Sequence, residues 1–507
     1  MPVFFIRLAV VVGGAAVLVL EILGTRLLGP AFGVGLYLWS ALIGVTLAAL
    51  AVGYALGGRW ADRGPTTQRL GLLLLVSGAW TMLIPWLRSP VLALVHSLDL
   101  RAAVLVAGTM LFFPPLVLMG MVSPYAIRLK AASLQDVGRT AGNLYALSTC
   151  ASVVAAIGTG FWLIPALGVS RLTFLTGVLL LVTGAVPLLP GLRARRLPVV
   201  LLAMVFVMLA ADRAAPRDNP DPARGLVALE QSAYAELRVV DYHDQRAMLI
   251  DGAPHSVIDI ASGEPVFPYV DALDIPKHFY PSPGRMLLVG LGAGSVAKDY
   301  SGDGWQVQSV EIDPVVTKLA RAHFGFTDAD GPVDHADGRR WLVDHAETFD
   351  LIVLDAYGSS SVPFHLTTTE AFALMKSRLR PGGLLAMNIE AVGWDDIFVR
   401  SLAVTVGKHF ANVKLLPTAE PPNELGNIVL IASDRSLDLP DGLPVPPDRW
   451  SGDYNRKHAW DNAYTVAPGN GLVLTDEHNP VAVWSDRINL AARIKVREWF
   501  GNSGLDH

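Results

Sequence analysis

The chain has 507 residues, of which 52% are hydrophobic and only 17% charged, too apolar for one soluble domain and too long for one compact core. Charge is divided unevenly: up to residue 200 four acidic residues (Glu21, Asp62, Asp99, Asp136) face fourteen Lys or Arg, leaving 41 acidic against 26 basic in the remainder. An acidic second half argues against nucleic acid as a partner and suits a cationic one, and the single cysteine, Cys150, excludes an intrachain disulfide and a cysteine-built metal site.

Apolar runs long enough to cross a bilayer cover roughly 8–28, 37–58, 70–87, 102–123, 141–165 and 172–190, with a shorter seventh at 197–211. The first is too long, and too poor in a cleavage site, for a removable signal peptide. Basic residues gather in the connections after spans two, four and six: Arg59, Arg63 and Arg69; Arg128, Lys130 and Arg139; Arg193, Arg195 and Arg196. The positive-inside rule makes these loops and the N-terminus cytoplasmic. Seven spans would then put the second half outside and six would keep it inside. A domain that uses an adenosyl cofactor belongs where that cofactor is made, so the cytoplasmic face of the cell (inner, plasma) membrane is the expectation.

Glu21, in "VLEILGTRLLGP", is the one acid inside the first span. It is either a functional carboxylate or one paired with Arg26 or another helix's arginine. Pro114-Pro115 and the glycines of 53–58 predict kinks and close helix contact. "GYALGGRWADR" resembles the loop between the second and third helices of major facilitator transporters.

Residues 212–227 are rich in Pro, Asp and Arg and read as a linker. "AELRVVDY" and "AMLIDG" are short β-type segments, a hairpin region over 228–283. From 284 to the end strands and helices alternate: "RMLLVG", a helix from 294, "VQSVEID", a helix through "VVTKLARAHF", "FDLIVLDAY", a helix through "TEAFALMKSRL", then "GGLLAMNI". The expected fold is therefore a multi-pass α-helical membrane domain (1–211, six or seven spans), a linker, a small β-hairpin region, and a doubly wound α/β Rossmann-like domain, which the family resemblance of this half narrows to the S-adenosylmethionine-dependent transferase type. Ligands in such sheets bind beyond the carboxyl ends of the strands.

Gly290, Gly292 and Gly294 follow the first of these strands, where the chain must turn tightly and approach a ligand closely. Glu311 ends the next strand, at the distance where an acid commonly accepts from ribose hydroxyls. Asp337 and Asp355 end two later ones. Three acids beside a pyrophosphate would repel it, whereas a cationic sulfonium is favoured by them. Asp355, at a strand's carboxyl end beside the glycine turn, could serve as a general base, or else it is a structural loop acid. Tyr269 could stack on a cationic amine or simply pack. His365 reads as a solvated loop histidine. No metal-ligand spacing is present.

The segments "MLIDGAPH", "EPVFPYVDAL", "LLVGLGAGS", "VEID", "DGRRWL", "LDAY…VPFHLTTTEAF" and "LTDEHNP" resemble spermidine synthases and related polyamine aminopropyltransferases, in their membrane-fused bacterial branch, over about residues 227–485. The resemblance implies transfer of an aminopropyl group from decarboxylated S-adenosylmethionine to a small cationic amine. Gly290, Gly292 and Gly294 would form the cofactor loop, Glu311 and Ile312 the ribose side, and Asp337 with Gly338 the adenine side. Asp355 would be the proton acceptor, Tyr269 and Asp271 the lining of the amine pocket, and His255 and Tyr357 further substrate contacts. Three departures accompany it. Ala293 stands where soluble spermidine synthases have an aspartate in the glycine loop. Gly358 and Ser359 stand where the second aspartate and the proline of D-x-x-D-P belong, and His255 where a glutamine is usual. A methyltransferase using intact S-adenosylmethionine, and a polyamine- or nucleoside-binding transporter or sensor, are the rival readings. A lipid bilayer is the expected surrounding of the first half. The acceptor and the oligomeric state stay open, a homodimer among the options.

Overall fold

The structure is a computed structural model and describes residues 2–131, 137–188, 197–216, 219–358, 362–418, 422–439, 442–443 and 452–500. The basic run Arg193–Arg195–Arg196, Asp136 and Ser359 lie outside the described residues. Two compact units form, one built on residues up to Asn219 and one on Pro220–Glu230 and Tyr234–Leu505.

Among the described residues of the first unit six helices are long and apolar enough to cross a membrane: Val3–Phe32, Leu36–Ala61, Thr67–Val95, Leu100–Lys130, Val137–Leu167 and Val169–Leu188. A further helix, Leu197–Ala214, follows. The helices outrun their apolar cores because polar residues cap them: the Asp99 carboxylate accepts from Arg101 N at 2.9 Å, and Thr66 Oγ1 accepts from Arg69 N at 3.2 Å. Glycine decides which helices touch. A Cβ on Gly53 would lie 2.4 Å from Val117 O, and one on Gly57 2.7 Å from Met121 O, so only hydrogen lets those backbones meet. Large apolar side chains remain exposed, among them Val154 (72%), Phe161 (71%) and Phe206 (73%), which in water would be costly. Arg171 is paired with Asp212 at 2.6 Å. Glu21 makes no ion pair with Arg26 or any other cation among the described residues, so the pairing that its position suggested is absent.

The connection to the second unit is shorter than the 212–227 composition implies, since helix runs to Ala214 and strand begins at Leu226. What reads as a hairpin is a four-stranded sheet: β1 (Leu226–Gln231), β2 (Glu236–Tyr242), β3 (Gln245–Ile250) and β4 (Ala253–Asp259), in sequential order, with β2, β3 and β4 antiparallel. A short helix, Pro268–Asp274, follows.

The main sheet contains β5 (Arg285–Val289), β6 (Gln306–Glu311), β7 (Val333–His335), β8 (Phe349–Leu354), β9 (Leu379–Val392), β10 (Asn412–Pro417) and β11 (Leu425–Ser433). Their order is β10-β11-β9-β8-β5-β6-β7, with β5 to β9 parallel and β10 and β11 antiparallel. β5 and β8 are near-continuous apolar runs because helices cover both faces of a parallel sheet. Met286 and Leu288 enter one core, Leu287 and Val289 the other. From β5 the chain moves outward through β6 and β7 on one side, then returns to β8 on the other. The switch point between β5 and β8 is therefore where a ligand crevice opens.

Candidate active site

Two turns meet at that switch point. Gly290 N donates to Val310 O (2.9 Å) and Asp355 N to Val289 O (2.8 Å), so the exits of β5 and β8 are tied to neighbouring strands. Gly290 has φ +94°, and a Cβ there would lie 2.3 Å from Asp355 O. Glycine is needed at this position for both reasons. Gly292 comes next, where a Cβ would sit 2.7 Å from Ser256 Oγ. That hydroxyl accepts from Ala293 N (3.0 Å) and so draws the loop against β4. A narrow cleft lies alongside, lined by Ser256, Phe267, Tyr269, Leu291, Ser295 and Asp355 among others.

The Asp355 carboxylate is held from two sides. Oδ1 accepts from Asn388 Nδ2 at 2.8 Å. Oδ2 is 3.5 Å from the Tyr269 hydroxyl, which also reaches His255 O at 3.4 Å. Burial pushes Asp355 up to about 7, with the nearby Glu311 charge adding to it and the two hydrogen bonds opposing. A carboxylate tuned to neutrality can both take and release a proton at physiological pH. Asn388, only 3% exposed in the apolar strand β9, was missed by the sequence reading. The signal was present in "LLAMNIE": an asparagine inside an otherwise apolar strand must find a buried partner.

Glu311 ends β6, where burial raises its pKa. It accepts from Leu291 N (2.9 Å) in the glycine turn and from Asp313 N (2.9 Å) in the next one. Ile312 beside it is 41% exposed, an apolar platform at the strand end. Asp337 caps the helix Gly338–Asp344 by accepting from Arg340 N at 2.9 Å. A Cβ on Gly338 would fall 2.4 Å from Val289 Cγ1, so this glycine lets the helix start against β5. His365 is not simply solvated: its Nε2 lies 2.7 Å from Asp337 Oδ2, and its carbonyl accepts from Arg339, which also grips Asp476 at 2.6 Å. If Glu311 holds a ribose, Glu311→Ala is expected to weaken calorimetrically measured methylthioadenosine binding by at least ~1.5 kcal/mol, the worth of a charge-assisted hydrogen bond. Unchanged affinity would remove Glu311 from the site.

Asp271 does not join Asp355. It stands two residues after Tyr269 on one helix, about 200° around the axis, so the two side chains leave on opposite faces. Its Oδ2 accepts from Asn455 Nδ2 at 2.7 Å, and burial raises its pKa. His255 stays at the cleft, with its ring 6.5 Å from that of Tyr357. The Tyr357 hydroxyl is committed to β9, donating to Asn388 O (3.0 Å) and accepting from Glu390 N (2.6 Å). Only its ring is left for a ligand. Elsewhere Asp274, Asp299 and Asp303 converge at metal-like spacing, but the Lys277 ammonium sits among them, 2.7 Å from both Asp299 and Asp303, where a cation would go.

Sheet order and site together place the second unit among doubly wound, ligand-binding Rossmann-like domains. No family model matches the chain. The chain is similar to a probable polyamine aminopropyl transferase of Bifidobacterium longum, 33% identical over 140 residues, 27% of this chain and 31% of that protein. It is also similar to the polyamine aminopropyltransferase of Vibrio vulnificus, 28% identical over 222 residues, 41% of this chain and 72% of that protein. Among solved structures, a probable spermidine synthase from Corynebacterium glutamicum aligns with a TM-score of 0.39 and 22% identity, over 42% of this chain and 81% of that one. The named sequence relatives are thus polyamine aminopropyltransferases, joined by a spermidine synthase of Schizosaccharomyces pombe at 28% identity over 188 residues. The chain's match spans about a third of the length of the Bifidobacterium relative.

Proposed function

We propose that the α/β unit is an aminopropyltransferase that moves an aminopropyl group from decarboxylated S-adenosylmethionine to a small cationic amine and releases methylthioadenosine. The observation that carries this reading is Asp355: a carboxylate tuned to about pH 7, at the switch point, beside a glycine turn and the Tyr269 hydroxyl. The residues present suit an adenosyl sulfonium co-substrate. Gly290 and Gly292 leave room where side chains would collide, Glu311 and Asp337 offer oxygens at two strand ends, and exposed Ile312 gives an apolar surface between them. In this role Asp355 accepts the proton that the attacking nitrogen must lose, and Tyr269 orients the ammonium against it. The cleft walls of Phe267 and Leu291 hold water away, so both reactants stay in line. The apolar helices with their exposed Phe161 and Phe206 anchor the enzyme in the inner membrane, with the α/β unit on the cytoplasmic side where the adenosyl donor is made.

One observation favours a second reading. Ala293 is buried in the loop and its N–H is engaged by Ser256, so the turn offers no carboxylate to hold an aminopropyl ammonium or to repel the carboxylate of intact S-adenosylmethionine. Methyl transfer would follow. Feeding the purified full-length protein each donor with a panel of amines, and reading products by mass spectrometry, separates the two. A mass gain of one aminopropyl group with methylthioadenosine is expected. A methylated amine with S-adenosylhomocysteine would replace this assignment with the second reading.

A further inference from the structure

Asp355 does not stand alone in the sheet. Its Oδ1 takes a hydrogen bond from Asn388 Nδ2 (2.8 Å), and Asn388 Oδ1 takes one from Asn427 Nδ2 (3.0 Å) on the adjacent strand β11. The backbone that carries Asn427 is held as well: its main-chain carbonyl accepts from both Thr418 N (3.1 Å) and Thr418 Oγ1 (2.9 Å). Asn388 is buried in an apolar strand and Asn427 half-buried beside it, and the buried amide would be costly if left unsatisfied, where a leucine would pack the same space without that risk. These side chains therefore need a reason beyond filling the core.

We propose that Asn388 is a positioning residue for Asp355, with Asn427 as its lock, and that together they direct the transferred proton to the carboxylate oxygen facing the cleft. The argument is one of donor direction. Because Asn427 donates to the Asn388 oxygen, the Asn388 amide cannot flip, for its reversed form would set NH2 against NH2 and oxygen against carboxylate. Asn388 thus presents only N–H to Asp355 Oδ1. A proton on Oδ1 would point at that N–H, so Oδ1 stays bare and the proton belongs on Oδ2. Oδ2 is the oxygen beside the Tyr269 hydroxyl, and Tyr269 and Asp355 both line the cleft. The same donor favours the ionised carboxylate and offsets part of the burial that raises it.

This inference rests on the reading of Asp355 as the base, and its test separates the two. The full-length protein is titrated by infrared difference spectroscopy, following the protonated-carboxyl band that disappears in Asp355→Asn. Wild type is expected to show a midpoint near pH 7, the value set by its surroundings. Asn388→Ala is expected to move that midpoint up by about one unit, and Asn427→Ala, which leaves Asn388 free to flip, to move it less in the same direction. In turnover the acid limb of the pH profile should move with it: about a fivefold loss at pH 7 that is recovered near pH 9, with methylthioadenosine affinity unchanged. Thermal unfolding of both variants shows that each is folded, and either one suffices. An unmoved midpoint in a folded variant, or a loss of turnover equal at every pH, overturns the proposal. If the midpoint moves but Asp355→Asn turns over normally, the positioning role of Asn388 stands and the assignment of Asp355 as base fails instead.

Discussion

Gly290→Ala is expected to abolish ligand binding and turnover together and to lower the melting temperature. The added Cβ would stand 2.3 Å from Asp355 O and 2.8 Å from Ala356 Cα, backbone atoms with no rotamer to change. The φ of +94° adds its own strain for any residue with a side chain. Neither turn can retreat, since Gly290 is bonded to Val310 and Asp355 to Val289. Relief must come from parting the exits of β5 and β8, which displaces Asp355 from Tyr269 and Asn388. Overpacking of this kind costs about 1–3 kcal/mol, and the reacting geometry tolerates far less movement than the fold does. Gly302→Ala is the control, because nothing lies within 4 Å of its Cβ position. Calorimetry with methylthioadenosine and thermal unfolding read both variants. Wild-type affinity in Gly290→Ala would mean that this turn does not cradle the ligand.

What could be read in the sequence was local. The apolar run of β5 followed by three spaced glycines marks a strand and a tight turn whatever surrounds it. Glu311 and Asp355 could be named because each ends an apolar strand, where an α/β sheet presents its ligands. Contacts set by sheet order were not legible. Asn388 and Asn427 meet because β9 and β11 pair antiparallel, with Asn427 opposite Glu390, and no local pattern encodes that register. The His365–Asp337 contact likewise joins a loop to a helix cap formed elsewhere in the chain. Asp271 was misplaced for a different reason. The family resemblance implies that Tyr269 and Asp271 line one pocket, and it carries no helix assignment for that segment. Once Pro268–Asp274 is helical, the 3.6-residue period sends Tyr269 and Asp271 apart. The helix ends in the first unit were underestimated because hydropathy marks the apolar core and says nothing of caps such as Asp99.

Asp355→Asn separates chemistry from binding more cleanly than any other change. Asparagine keeps the shape, and its oxygen can still accept from Asn388 Nδ2. Tyr269 can donate to His255 O alone and accept from the new amide, so the hydrogen bonds are redistributed rather than lost. The amide cannot take up a proton at working pH, and turnover is expected to fall by roughly 10²–10⁴, the usual worth of a positioned base. Methylthioadenosine affinity should barely change, because Gly290, Glu311 and Asp337 remain. Stability should move the other way. Burial raises Asp355 to about 7 in the folded protein, against an ordinary value of 3.8. Below about pH 4 the carboxyl is protonated in both the folded and the unfolded chain, and the substitution changes little. Between about pH 4 and 7 the unfolded chain ionises first, so wild type pays an increasing penalty for burying a group that would rather be charged in water. Asparagine carries no such penalty. The melting temperature of Asp355→Asn should therefore rise relative to wild type across that window and hold its advantage above it. A variant that melts higher at pH 8 and no longer turns over is the expected result. One that turns over normally would show Asp355 to be a structural acid, and one that loses turnover and affinity together would move it from the base to the ligand site.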